Sequence, residues 1–183
     1  MKKVYIILTH TGTILSRIIR IYTRDEFSHV SIALDKYLKQ MYSFGRLNPY
    51  NPFIGGFIHE YVNAGTFNRF KKTRTAIYSL NITDEEYEKI CDMIKNFKKT
   101  RKIYKFNSLG LFAIAIKLRI HKEHSFYCAE FVKYVLENAG IKTNLPVMIR
   151  PENFKHLKNI EPEYKGLLRD YYKFNHPIKL LNN

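Results

Sequence analysis

Hydrophobic and polar positions change period several times along the chain, and each change marks an element. Residues 4–8 form an unbroken apolar run that predicts a buried strand. A Thr-His-Thr-Gly-Thr turn follows at 9–13, after which Ile14, Leu15, Ile18, Ile19 and Tyr22 recur at helical spacing. Over 28–34 the period becomes two: Val30, Ile32 and Leu34 point one way, and His29, Ser31 and Ala33 the other. That second face is small and polar, so a helix is expected to lie close against it. A turn over 35–40 leads to a second strand at 41–44, with Met41 and Ser43 on one face, and the two strands predict a hairpin. Residues 45–57 carry two Pro, three Gly and two Asn and read as a long loop.

A third strand is expected over 74–81. Thr83-Asp84-Glu85-Glu86 then has the form of a capping box, and the helix it opens runs to about Lys99, with Tyr87, Ile90, Cys91 and Ile94 as its buried stripe. Residues 107–120 form an apolar stretch read as helical. A stronger helix follows over 125–139, with Ser125 as N-cap, Cys128, Val132, Val135, Leu136 and Ala139 on one face, and Gly140 as its stop. Pro151 opens a short helix to 157, and the aromatic tail beyond Glu163 reads as a strand. No internal repeat, linker or low-complexity segment interrupts the chain, so residues 1–183 read as a single α+β domain.

Composition narrows the class. The chain has 183 residues, 45% of them hydrophobic, enough for one sizeable core. Its formal charge of +15 favours acidic partners such as an anionic membrane surface. The basic residues are scattered, however, as on a Lys-rich solvated surface. The short clusters at 69–72 and 98–102 do not alternate with aromatics, so no specific nucleic-acid interface is expected. Two cysteines make no disulfide framework. The apolar run at the start stops at Thr9-His10, shorter than a secretory core of about 7–15 residues, and no run approaches the roughly 20 residues of a membrane span. A reduced, cytoplasmic setting is expected, with a membrane-peripheral position as the alternative.

Cys128 carries the sharpest chemical signal. It falls in the first turn of its helix, where unpaired backbone N–H groups and the helix dipole favour a thiolate and can hold an oxyanion. A buried cysteine filling an apolar face is the simpler reading of that position taken alone. His29 changes the balance. It opens a strand on the polar face, and an imidazole can take the thiol proton and return it to a leaving group. Ser43, on the neighbouring strand, is the first candidate to orient that base, with Glu60 and His59 as alternatives. His121 and His124 ahead of Cys128 resemble part of a zinc site, but no further ligand pair follows at a recognised spacing. No metal or cofactor is expected. Cys91 lies mid-stripe and reads as structural.

Taken together, Phe27-Ser28-His29-Val30-Ser31-Ile32-Ala33-Leu34 and Phe126-Tyr127-Cys128-Ala129-Glu130-Phe131-Val132 resemble the permuted branch of the NlpC-type papain-like superfamily. That branch includes the YiiX-like hydrolases and relatives of lecithin:retinol acyltransferase. In it the His strand precedes the Cys helix, as it does here. The resemblance implies a mostly antiparallel sheet packed against the Cys helix, a cysteine nucleophile, a histidine base and a third polar residue on the following strand. Carried over, these are Cys128, His29 and Ser43. It also implies acyl chemistry: a peptidase- or amidase-like hydrolase, or a membrane-associated lipid acyltransferase or esterase with the same pair, acting on a peptide, amide or lipid-ester substrate. The rival from another class is a non-catalytic basic binding module.

Overall fold

The computed structural model describes residues 1–48, 51–101, 105–106 and 125–175. The helix expected over 107–120, together with His121, His124 and His176, lies outside the described residues.

The apolar run becomes the central strand β1 (Lys2–His10), which pairs antiparallel on both sides. A turn leads to α1 (Ile14–Thr23), whose N-cap Thr13 accepts from the Ser16 N–H. The alternating segment becomes β2 (His29–Ala33), which forms the expected hairpin with β3 (Met41–Asn48). Then come β4 (Asn51–Glu60), α2 (Gly65–Arg69), β5 (Arg74–Ile82) and α3 (Asp84–Thr100). Both halves of the predicted capping box at Thr83 and Glu86 form, at 3.1 and 2.8 Å. Two short parallel strands, β6 (Lys105–Phe106) and β7 (Ser125–Phe126), precede the cysteine helix α4 (Cys128–Ala139). A 3₁₀ helix at Pro151–His156, β8 (Ile160–Leu167) and α5 (Leu168–Asn175) follow. The fold is α+β, built on a six-stranded antiparallel sheet in the order β4-β3-β2-β1-β5-β8.

Each sheet face has its own core. On one, Val4, Ile6, Leu8, Val30, Ile32, Tyr42 and Phe44 pack with Ile90 and Ile94 of α3 and with Phe131, Val132, Val135 and Leu136 of α4. On the other, Tyr5, Ile7, Ala33, Met41 and Ile77 pack with Phe67 of α2 and with Leu168 and Tyr171 of α5. The cysteine helix therefore lies on the branched face of β2, not on the small Ser31/Ala33 face as expected. An apolar helical stripe gains more from covering Val30 and Ile32 than from covering two small residues.

Three further expectations are corrected. The proposed loop over 45–57 is mostly strand, with Gly45 opposite Gly56 and Arg46 opposite Gly55 in the β3–β4 ladder. β4 is an edge strand, where proline and glycine are tolerated because one side of the backbone makes no ladder. Ser125 is not the N-cap: Ser125 and Phe126 pair with β6, and the helix begins at Cys128 with Tyr127 as cap. The C-terminal strand starts earlier than expected and ends at Leu167, so the aromatic tail through Tyr171 is helical. There Leu168 and Tyr171, three apart, bury one helix face.

Candidate active site

Aromatic packing fixes the start of α4. Phe131 lies 5.2 Å from the ring of Phe44, 5.6 Å from Phe57 and 5.2 Å from Phe97, which ties the helix to β3, β4 and α3. At the helix entry the Tyr127 N–H donates to the Glu130 carboxylate at 3.2 Å, and the Tyr127 phenol donates to the Ile149 carbonyl at 3.0 Å. Cys128 is the first residue of the helix, and its side chain is buried. Its N–H and that of Ala129 head the helix, where no preceding turn can accept from them.

His29 is the first residue of β2, so its ring sits at the end of the sheet. There it meets groups from two directions. Nε2 lies 3.0 Å from Glu60 Oε1, with side-chain exposures of 20% and 10%, so the pair is largely withdrawn from water. Nε2 is also 3.3 Å from Ser31 Oγ, and the Ser31 hydroxyl donates a hydrogen bond to the second Glu60 oxygen. Ser31 thus holds one carboxylate oxygen while the other faces the imidazole. Burial disfavours a charged ring, but the Glu60 carboxylate, and after it the charge and hydrogen bonding of Cys128, outweigh it and push His29 up to about 10. Glu60 and Cys128 thus both act on the His29 ring.

Of the three residues expected at the site, Cys128 and His29 interact, and Nε2 of His29 faces Glu60 rather than Ser43. Ser43 is fully buried, and among the described residues its Oγ has no hydrogen-bond partner. It sits near the ring, since a Cβ on Gly45 would lie 3.4 Å from Ser43 Oγ and 3.5 Å from His29 Cε1. Nε2 nevertheless turns to Glu60, because a carboxylate is a far stronger acceptor for a charged donor than a hydroxyl. The other alternative, His59, is engaged elsewhere: Nε2 donates to the Lys39 carbonyl at 2.7 Å, and the Tyr61 phenol donates to Nδ1 at 2.8 Å. Ser31 was read only as a small residue of the polar face. Its place two residues after His29, on the same face, was the available signal.

Cys91 is a free thiol on α3, half-buried and pushed up by burial, as suits a structural role. Among the described residues no group of three His, Cys, Asp or Glu side chains is arranged to hold a metal ion. No described helix is long and apolar enough to cross a membrane. The chain matches no protein-family model, and no curated protein sequence is significantly similar to it.

Proposed function

We propose that the chain is a cysteine hydrolase, peptidase- or amidase-like, with the permuted papain-like fold that its His-strand and Cys-helix segments resemble. One observation carries the reading: the His29 imidazole is held by the Glu60 carboxylate and interacts with the Cys128 thiol at a helix start. A buried structural cysteine needs neither a histidine nor a carboxylate behind it. The antiparallel sheet and the order of the two segments support the same reading.

The chemistry follows from the roles. His29 holds the proton of the thiol, and the Cys128 sulfur attacks an acyl carbonyl. Helix N–H groups at Cys128 and Ala129 stabilise the oxyanion. As the bond to the leaving amine or alkoxide breaks, His29 gives it the proton. Water then attacks the thioester with His29 accepting its proton, the acid is released, and the sulfur leaves as thiolate. Glu60 keeps the imidazole in orientation and stabilises its charged form throughout.

Intact-protein mass measurement with acyl-amide and acyl-ester probes tests this. The expected result is an acyl adduct on Cys128, none on Cys91, and none in Cys128→Ala. No adduct with any probe, or one confined to Cys91, would remove the hydrolase reading and leave a binding module.

A further inference from the structure

We infer that segment 149–152 is a clasp that sets the spacing of the Cys128–His29 pair, with Glu152 and Arg150 as positioning residues for the base. The inference rests on the hydrolase reading above. The thiol belongs to the start of α4 and the imidazole to the start of β2, so their separation depends on what joins those two ends. The sheet fixes His29 from one side. Thr9 of β1 pairs with His29, and the Ser28 N–H donates to the Thr9 carbonyl at 3.1 Å. On the other side, the ladder between β2 and β3 covers only Ile32–Tyr42 and Ala33–Met41 and does not reach His29. Residues 24–28, which deliver the chain to His29, are in neither helix nor strand.

Segment 149–152 grips both ends. Next to the cysteine, the Tyr127 phenol donates to the carbonyl of fully buried Ile149 at 3.0 Å. Next to the histidine, Arg150 Nη1 donates to both oxygens of Asp25 at 3.2 and 3.1 Å and to the Thr23 carbonyl at 3.3 Å. Glu152 Oε1 accepts from the N–H of Phe27, two residues before His29, at 2.8 Å. The Asp25 and Glu152 side chains are only 13% and 17% exposed, so water competes little for these bonds. The clasp is itself stiff. Pro151 has a fixed φ, the Arg150 N–H donates to Asn153 Oδ1 at 2.8 Å, and Phe154 is buried in the core that holds α4. Lys155 pairs with the second Glu152 oxygen and sits 4.9 Å over the Phe27 ring, which keeps Oε1 turned to the Phe27 N–H. Four consecutive residues thus tie the neighbour of the nucleophile to the approach of the base. A misplacement of about 1 Å between reacting groups costs on the order of 10²-fold in rate.

Alkylation of Cys128 by iodoacetamide, followed by peptide mass between about pH 6 and pH 10, reads the spacing, because an imidazolium favours the thiolate only when it is close. In wild type the rate at about pH 6 should exceed that of glutathione by about tenfold or more. Glu152→Ala should lower the rate at about pH 6 by about tenfold. It should leave the rate at about pH 10, where a thiol ionises unaided, within about twofold of wild type. Glu152→Gln keeps an oxygen for the Phe27 N–H and should restore most of the low-pH rate. A residue that only stabilised the fold would lower the thermal transition and leave this profile in place. If Glu152→Ala fails to fold, Tyr127→Phe releases the other end of the clasp and should lower the low-pH rate severalfold. A low-pH rate retained in Glu152→Ala, or in Tyr127→Phe where that variant decides, overturns the clasp and leaves the hydrolase reading standing. So does a Glu152→Gln variant that falls as far as Glu152→Ala. A wild-type Cys128 no faster than glutathione at about pH 6 removes the hydrolase reading and the clasp together.

Discussion

Cys128→Ala should lower turnover of any accepted acyl substrate by about 10⁴-fold or more while the protein stays folded. The substitution removes one sulfur from the first residue of α4 and leaves the packing of Phe131, Val132, Val135 and Leu136 unchanged. The cavity is small, so the stability cost is about 1 kcal/mol. Loss of activity with a retained thermal transition separates nucleophile from scaffold. A basic binding module would tolerate the same change, and its partner affinity would follow salt rather than sulfur. Steady-state kinetics of wild type and variant, alongside circular dichroism, make the comparison.

Glu60→Gln is the second large effect, about 10²- to 10⁴-fold in kcat, with KM little changed. The amide keeps the size of the carboxylate but loses the charge that holds His29 protonated, and its NH₂ can turn towards Nε2 and favour the wrong tautomer. Ser31→Ala should cost less, about tenfold, because it frees the second Glu60 oxygen without removing the charge. Ser43→Ala should leave kcat unchanged and raise stability by about 1 kcal/mol, since it deletes a buried hydroxyl that has no partner among the described residues. The order Glu60, Ser31, Ser43 is the content of the prediction. A larger loss at Ser43 than at Glu60 would reinstate the serine as the orienting group.

What was legible in the sequence, and what was not, divides along physical lines. Period-two alternation at 28–34 and the stripe of the cysteine helix were readable because each depends on near neighbours. So was the Thr83–Glu86 box, whose two hydrogen bonds span three residues. The pairing of His29 with Cys128 was argued from the polar face of the His strand and strengthened by a resemblance, because the two lie 99 positions apart and only tertiary packing can join them. Glu60 was harder. It lies on β4, two strands from β2, and the segment before it looked like a loop because its Pro and Gly are the residues that usually break strands. At a sheet edge they do not. With 45–57 read as loop, Glu60 stood only as an alternative behind Ser43 on the adjacent strand. Face assignment failed for a related reason. Ser31 and Ala33 invite close approach, but the bulk of Val30 and Ile32 decides where an apolar helix docks. Ser125 showed the limit of cap signals: its backbone is committed to β6, so the helix starts three residues later.

The constellation makes His29 the most informative atom group in the molecule. Burial alone would hold the ring neutral at ordinary pH. The charges of Glu60 and then Cys128 reverse this and push it up to about 10. In linkage terms the raised value stabilises the fold fully below the ordinary histidine value near 6.5, and that contribution is lost as pH rises through about 10. Nitrogen-15 NMR of the His29 ring, titrated from pH 5 to 11 in wild type, Glu60→Gln and Cys128→Ala, is the most direct measurement. The expected result is an imidazolium that persists through neutral pH in wild type. It should titrate lower in Cys128→Ala and lowest in Glu60→Gln, where burial opposes the charge without a carboxylate to offset it. A His29 ring that titrates near 6.5 in wild type, and is unmoved by either substitution, would contradict the coupling of Cys128, His29 and Glu60.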